Sequence, residues 1–214
     1  METINTKETC PSEFYIFVND MNPITHNNVN IVGSISSAAI SALAMNGNNP
    51  QKYIDGDLDY LPFLPNENMF PALSMYHVSA INDYRIEYNA EINRKAYFKT
   101  YPSRLSAVYA FGDYDTCVEI HQRHNWDLNT VRRFRLKDLP YTRVAKVNME
   151  IVSLMRHAYK ISTFESDYEV WQHYWSGQGN LALQIPDRDF KPQRIESGVI
   201  WEYLIEGALE LIRE

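Results

Sequence analysis

The sequence predicts an α+β protein in which a mixed or antiparallel split sheet is flanked by helices and follows an acidic, loop-rich N-terminal part. Strand-like and helix-like segments do not alternate regularly, which disfavours a doubly wound parallel sheet. The chain has 214 residues, of which 45% are hydrophobic and 22% charged, as is ordinary for globular proteins. This length fits one domain, or one domain with an elaborate arm.

Three segments in the first hundred residues have the composition of regular elements. Residues 14–18 are aromatic or β-branched, which predicts a strand. Residues 34–45 are small and compatible with a helix, for which Ser34 is a candidate N-cap and Gly47 a stop. Residues 83–98 are charge-rich, with acidic and basic side chains four residues apart, so we expect an amphipathic helix there.

The later segments continue this mixed order. A short strand is expected at 76–79, and an apolar strand at 105–111 should end at Gly112. Asp113 is a candidate N-cap for a helix over 114–124. The remaining predicted elements are strands at 131–136 and 143–154, a helix at 164–175, and a hairpin formed by 199–205 and 208–212.

Charge is distributed unevenly along the chain. Residues 1–75 contain two basic and eight acidic residues, and all twelve arginines of the protein follow them. This part also holds eleven asparagines and a proline-punctuated stretch at 61–71, which is typical of extended or looping chain. We therefore expect a boundary near residue 72 that separates an acidic subdomain or arm at 1–75 from a second part at 76–214. A single domain spanning 1–214 is the alternative.

Composition and missing motifs exclude several classes of protein. A net charge of −7 argues against a protein that coats nucleic acid or an anionic membrane by bulk charge. Two cysteines are too few for a disulfide framework or a cysteine-built zinc site. No signal peptide or membrane-spanning run is visible, so we expect a cytoplasmic protein without a membrane partner. The motifs GxGxxG, GxxxxGK(S/T), GxSxG and HExxH are also absent.

Several polar residues lie on strand-like segments and are candidate functional groups. His77 lies in a Tyr-His-Val-Ser segment, whereas Ser106 and Tyr109 belong to the strand predicted at 105–111. Glu202 lies inside a run of large apolar and aromatic residues. A carboxylate in such a run is desolvated or paired, and either state shifts its pKa. The alternative is an edge strand from which Glu202 faces solvent, because alternate residues of a strand share one face.

Two other patterns have both a functional and an ordinary explanation. His121 and His124 share a helical face, but without a third ligand at a suitable spacing this pattern favours a solvated face over a metal site. The stretch 121–135 interleaves arginines with aromatic residues, which suits a nucleic-acid strand or an intramolecular dock for the acidic residues 1–75. The acidic net charge favours the internal dock.

The order of the candidate residues resembles the ADP-ribosyltransferase superfamily, which includes poly-ADP-ribose polymerases, diphtheria-like toxins and DNA-targeting toxins. In one branch, a histidine on an early strand precedes an aromatic residue on a later strand and a glutamate on a late strand. Here that order is His77, Tyr109 and Glu202. The resemblance covers residues 76–214, and the N-terminal residues have no counterpart in it. If the strand at 14–18 is the true first strand, His77 loses its role.

The resemblance implies a mechanism that uses NAD as a substrate and needs no metal. Glu202 would stabilise the positive charge that develops on the ribose as nicotinamide leaves, and would orient or deprotonate the acceptor. In this pattern the other contacts come from His77 to the nicotinamide ribose, from Tyr109 or Tyr174 to the nicotinamide ring, and from Arg104 or Ser106 to the pyrophosphate. In an arginine-first variant of the family, Arg104 or Arg85 would anchor the substrate instead.

Two functions from different classes remain open. The resemblance implies an NAD-dependent ADP-ribosyltransferase of the bacterial toxin or phage effector type, whose macromolecular acceptor is a protein or a nucleic acid. The alternative is a non-enzymatic acidic inhibitor or interaction protein, of phage or bacterial origin, that binds a host protein through residues 1–75 and exposed aromatic side chains. Convergence of His77, Tyr109 and Glu202 on one cleft would favour the enzyme.

Overall fold

Antiparallel sheets form the framework of the computed structural model, which describes residues 2–45, 47–60, 84–161, 168–189 and 191–213. Every pairing between its named strands is antiparallel, and helices pack around the sheets. The predicted α+β class with an antiparallel sheet is therefore confirmed. The predicted strand at 76–79 and the boundary near residue 72 lie outside the described residues.

Nine strands are present in the described residues, and they form a four-stranded, a three-stranded and a two-stranded sheet. The strand orders are β1-β4-β9-β2, β3-β8-β5 and β6-β7. The strands are β1 (Glu13–Phe17), β2 (Ser34–Ser36), β3 (Val108–Ala110), β4 (Val131–Leu136), β5 (Arg143–Asn148), β6 (Ala182–Pro186), β7 (Pro192–Glu196), β8 (Trp201–Glu206) and β9 (Ala208–Leu211).

The helices of the described part vary from one turn to almost four. The α-helices are α1 (Pro23–His26), α2 (Ala38–Met45), α3 (Asn49–Asp55), α4 (Tyr84–Tyr97), α5 (Tyr114–His124), α6 (Met149–Ile161) and α7 (Tyr168–Trp175). A π-helix (Asn27–Val32) continues α1, and a 3-10 turn (Leu128–Thr130) precedes β4. None of the helices in the described ranges combines the length and apolar character needed to cross a membrane.

The predicted hairpin at 199–212 is wrong, although both of its strands are present. β8 pairs with β3 and β5, whereas β9 pairs with β2 and β4, so the chain passes from one sheet to the other at Gly207. Ser37 fixes this crossing, because its N–H donates to the Gly207 carbonyl (2.9 Å) and its hydroxyl accepts from the Gly207 N–H (3.1 Å). A Cβ at position 207 would lie 3.0 Å from Thr142 Cγ2.

The two larger sheets also meet at a second point. Tyr15 of β1 and Phe111, which directly follows β3, exchange two backbone hydrogen bonds of 2.8 Å. The sheets are therefore joined at Gly207 on one side and at this bridge on the other. The result is a split sheet whose two halves share one hydrophobic core cluster.

The strand predicted at 143–154 is wrong beyond Asn148, where helix α6 begins. The Asn148 side chain accepts a hydrogen bond from Glu150 N–H (3.1 Å) and so caps the new helix. Ile151, Met155 and Ala158 are fully buried at the spacing of one helical face. Apolar spacing in this segment therefore fits a helix better than a strand.

The element predicted at 34–45 is also divided. Its first residues form β2, and helix α2 starts only after Ser37, whose hydroxyl accepts from Ile40 N–H (3.4 Å). Ser37 rather than Ser34 is thus the N-terminal cap. By contrast, helix α5 begins as predicted, since the Asp113 side chain accepts from Thr116 N–H (2.7 Å).

β8 lies at the centre of the core because both of its faces are covered. Leu204 packs with Trp171 and other buried residues on α4, α6 and α7, whereas Tyr203 and Ile205 pack with Phe14 of the four-stranded sheet. The Phe14 and Tyr203 rings meet edge-on with centroids 5.3 Å apart. Side chains on either face of β8 are therefore shielded from water.

We expect Leu204→Ala to lower the free energy of unfolding by about 2–5 kcal/mol, because it leaves a cavity at a fully buried position. Urea denaturation measures this loss. The matched control is Ile92→Ala on α4, where the side chain is 43% exposed and the change should stay within about 0.5 kcal/mol. Equal effects of the two variants would contradict the central position of β8.

Candidate functional site

The register of β3 and β8 places Tyr109 and Glu202 on the same face of the sheet. Tyr109 lies opposite Leu204, and side chains that face each other across a ladder share a face. Glu202 precedes Leu204 by two residues and so points to that face as well. Both Tyr109 and Glu202 line one cavity with a volume of about 530 Å³. That volume is within the usual range for small-molecule sites.

The cavity is lined by residues from both larger sheets and from neighbouring helices. Arg104 of the loop before β3 lies there with Tyr109 of β3, Glu202 of β8 and residues of α6. The N-terminal part of the chain, from the end of β1 to the start of α2, also lines the cavity and includes Val18 and Ala38. The acidic N-terminal part therefore contributes directly to the site.

Glu202 is a buried acid with an altered affinity for protons. Its side chain is 5% exposed and lies on a strand paired on both sides, so the alternative of a solvent-facing edge strand is wrong. The pKa of Glu202 is raised to about 7, mainly because the buried carboxylate loses its hydration and to a smaller extent because of the negative charge of Glu87. The positive charges of Arg104 and Arg156 oppose this rise.

Arg104 connects the wall of the cavity to the helices behind it. Its Nε and Nη2 atoms bind the two Glu87 carboxylate oxygens at 2.9 and 3.1 Å, and both side chains are almost fully buried. The Arg104 Nη1 atom donates to the Tyr174 hydroxyl. The Arg104 guanidinium lies 5.3 Å from the centre of the Tyr109 ring and 5.4 Å from that of Tyr174. These contacts hold Arg104 in one orientation.

The other predicted residues occupy different positions around this wall. Tyr109 is half-buried, and its hydroxyl donates to the Arg104 carbonyl (2.8 Å). Ser106 lines the cavity, but its hydroxyl donates to the Glu206 carboxylate. Tyr174 is fully buried on α7 and is not one of the cavity-lining residues, so among the described residues it supports Arg104 from behind. His77 lies outside the described residues.

Burial also affects the proton affinity of Tyr174. Loss of hydration raises the pKa of its hydroxyl well above the ordinary value, although the Arg104 charge acts in the opposite direction. Tyr174 therefore stays a neutral phenol that accepts a hydrogen bond from Arg104. Glu202, Tyr109, Arg104 and Ser106 are brought together at one cavity, with Tyr174 one layer behind them.

Among the cavity-lining residues that sequence reasoning missed are two polar residues of one helix, Ser153 and Arg156. Both lie on α6, both line the cavity, and the Arg156 charge acts on Glu202. They fall at the end of the segment that was predicted as a strand and just beyond it. The helical spacing of Ile151 and Met155 is the signal that would have identified this segment as a helix.

The histidines at 121 and 124 have partners within the protein. The His121 Nδ1 atom bonds to the Trp126 carbonyl (2.6 Å), and the His124 Nε2 atom bonds to Glu150 (2.5 Å). Across the part of the chain that the structure describes, no three His, Cys, Asp or Glu side chains are grouped so as to hold a metal ion.

The comparisons with known proteins identify no family. No family model matches the sequence, and no curated protein matches it closely enough to indicate one. The site offers an acid that ionises near neutral pH, two cavity-lining arginines and a tyrosine ring at one enclosed surface.

The raised pKa of Glu202 predicts a pH-dependent stability. Between the ordinary value of 4.5 and about 7, the folded protein binds more protons at this site than the unfolded chain. We therefore expect the site's contribution to stability to be full below pH 4.5 and to be lost, by about 3 kcal/mol, as the pH rises to 7.

The measurement compares the free energy of unfolding of the wild type and Glu202→Gln from pH 4 to 8. Glutamine does not ionise, so the stability of the variant relative to the wild type should rise with pH over this range. Parallel curves would show that the Glu202 carboxyl is not shifted by burial.

Proposed function

We propose that the protein is a cytoplasmic NAD-dependent ADP-ribosyltransferase that modifies a macromolecular acceptor. The observation that carries this proposal is the position of Glu202, which is buried in the wall of a 530 Å³ cavity beside Tyr109 and Arg104. The resemblance in the order of the site residues adds to it. The proposal includes an ADP-ribosyltransferase-like fold, for which the split antiparallel sheet is suitable.

The chemistry requires an anion beside a developing cation. Nicotinamide leaves when its glycosidic bond to C1′ of the ribose breaks and the electron pair stays with the nicotinamide nitrogen. The ribose then carries oxocarbenium-like positive charge, which an ionised Glu202 stabilises most strongly in a site with little water. A nucleophile of the acceptor forms the new bond to C1′ and loses a proton. Glu202 can accept that proton, since its pKa is near 7.

The neighbours of Glu202 suit the other parts of the substrate. The half-buried Tyr109 ring can stack on nicotinamide. Arg104 and Arg156 both line the cavity, and their positive charges attract the pyrophosphate, although the Arg104 guanidinium is already bonded to Glu87. Because the Ser106 hydroxyl is engaged by Glu206, we assign Ser106 a role in shaping the wall. A contact from His77 to the ribose remains part of the proposal.

A non-enzymatic interaction protein is the second candidate. Four large apolar side chains of the segment around α1 and the π-helix are strongly exposed, and such side chains often mark a protein partner. They are Met21 (91%), Ile24 (63%), Ile31 (69%) and Val32 (61%). Ile24 also lines the cavity, so this surface adjoins the proposed catalytic site. If the protein is the enzyme, this surface can contact a protein acceptor. If it is a non-enzymatic interaction protein, the surface contacts a host protein.

Incubation with labelled NAD+ and cell lysate tests the enzyme. We expect the label to be transferred to a macromolecule, and Glu202→Gln to reduce the transfer by about 100-fold or more, because the charge that stabilises the transition state is lost. Transfer by the wild type should rise with pH up to about 7, as Glu202 ionises. Digestion of the labelled product with protease or nuclease separates a protein acceptor from a nucleic acid.

The matched control is Glu210→Gln, a change of the same type at an exposed position on β9. It should leave transfer unchanged. If the wild type neither binds nor consumes NAD+ but captures one host protein, the enzyme is excluded and the interaction protein is favoured.

A further inference from the structure

Trp126 is an exposed aromatic residue at the rim of the cavity. Its side chain is 41% exposed and is part of the cavity lining. Two of the other three tryptophans, Trp171 and Trp175, are fully buried, and Trp201 is half-buried. An indole is costly to leave in water, since its burial contributes more than that of most side chains. An indole that is exposed at a cavity can therefore bury apolar surface against a ligand.

The structure around Trp126 fixes its position. Helix α5 ends at Asn125 in the left-handed conformation (φ 58°), which turns the chain sharply before Trp126. His121 then binds the Trp126 carbonyl at 2.6 Å. The indole meets the Phe17 ring edge-on, with centroids 5.1 Å apart and planes at 87°. Phe17 therefore does not stack parallel to the indole, and 41% of Trp126 stays exposed.

A second contact links Trp126 to helix α6. The His124 ring lies 6.4 Å from the indole, and His124 bonds to Glu150 at the first turn of α6. Further along the same helix, Arg156 lines the cavity and its charge acts on Glu202. Trp126 and Tyr109 line this same cavity, so one ligand can meet two aromatic side chains there.

A dinucleotide suits two such side chains, because it carries one planar ring on each side of its pyrophosphate. We infer that Trp126 stacks on the adenine ring of the bound NAD+, while the nicotinamide ring lies beside Glu202. This inference rests on the proposed function and adds the residue that binds the half of the substrate that does not react. Stacking of a base on an aromatic side chain contributes enough to change affinity about 5-fold to 150-fold.

Binding of fragments tests this inference. ADP-ribose contains the adenine half, whereas nicotinamide mononucleotide lacks it. We expect Trp126→Ala to weaken the binding of NAD+ and ADP-ribose at least fivefold, and to leave the affinity for nicotinamide mononucleotide within twofold. Trp126→Phe, which keeps a ring, should retain most of the affinity for ADP-ribose. In turnover, Trp126→Ala should raise the KM for NAD+ more than it lowers kcat.

Fluorescence provides a direct readout of the stacking. ADP-ribose should quench tryptophan emission in the wild type, and this quenching should disappear in Trp126→Phe. Tyr168→Ala is the matched control, since Tyr168 is 44% exposed but lies outside the cavity lining, and it should change neither affinity nor quenching. Thermal unfolding verifies that each variant is folded. If Trp126→Ala does not fold, Trp126→Leu keeps an apolar contact to Phe17 and still removes the ring.

The outcomes separate this inference from the proposed function. Transfer of label from NAD+ with unchanged ADP-ribose binding in the alanine or leucine variant would overturn the role of Trp126 and leave the enzyme intact. An equal loss of affinity for nicotinamide mononucleotide would also overturn it, because the indole would then act on the whole cavity. A wild type that binds neither NAD+ nor ADP-ribose would overturn both proposals.

Discussion

The site depends on the buried ion pair between Arg104 and Glu87. Each side chain is almost excluded from water, so removal of either one leaves an uncompensated charge that costs about 3–5 kcal/mol. Arg104 also binds the Tyr174 hydroxyl through its guanidinium and the Tyr109 hydroxyl through its carbonyl. The neighbouring Ser103 N–H donates to Glu206 at the end of β8 (3.0 Å). The loop before β3 is therefore fixed from both the helices and the central strand, and it positions the cavity wall around Glu202.

The N-terminal part of the chain completes the cavity and is attached by charge as well as by strand pairing. β1 pairs with β4, and β2 pairs with β9. Glu13 and Asp20 form ion pairs with arginines of β4, namely Arg133 and Arg132. From the sequence, the basic stretch 121–135 suited either a nucleic-acid strand or an internal dock for residues 1–75. At least Arg132 and Arg133 of this stretch form ion pairs within the protein. These pairs are partly exposed, so strand pairing and core packing contribute more to the attachment.

Features that depend only on residues close together in the sequence could be predicted from it. The helix over 83–98, the Asp113 cap and the common face of Glu202 and Leu204 follow from spacing alone. The strand with which another strand pairs does not follow from spacing, which is why β8 and β9 were predicted as a hairpin. The burial of two acidic side chains could not be predicted either. Glu87 and Glu91 have the four-residue spacing of a solvated helix face. Both are nevertheless buried, because Arg104 and Arg94 form ion pairs with them. Four of the predicted site residues line one cavity, whereas the α6 residues were missed with the helix that carries them.

A crystal structure of the protein with a non-hydrolysable carbocyclic analogue of NAD+ tests the role of Glu202 most directly. We expect the analogue to occupy the cavity lined by Arg104, Tyr109 and Glu202, with its nicotinamide ribose within hydrogen-bonding distance of Glu202 and its nicotinamide ring on Tyr109. An analogue bound elsewhere, or an empty cavity at a saturating concentration, would contradict this expectation. In that case Glu202 is a buried acid of the core and the protein is not an NAD-dependent transferase.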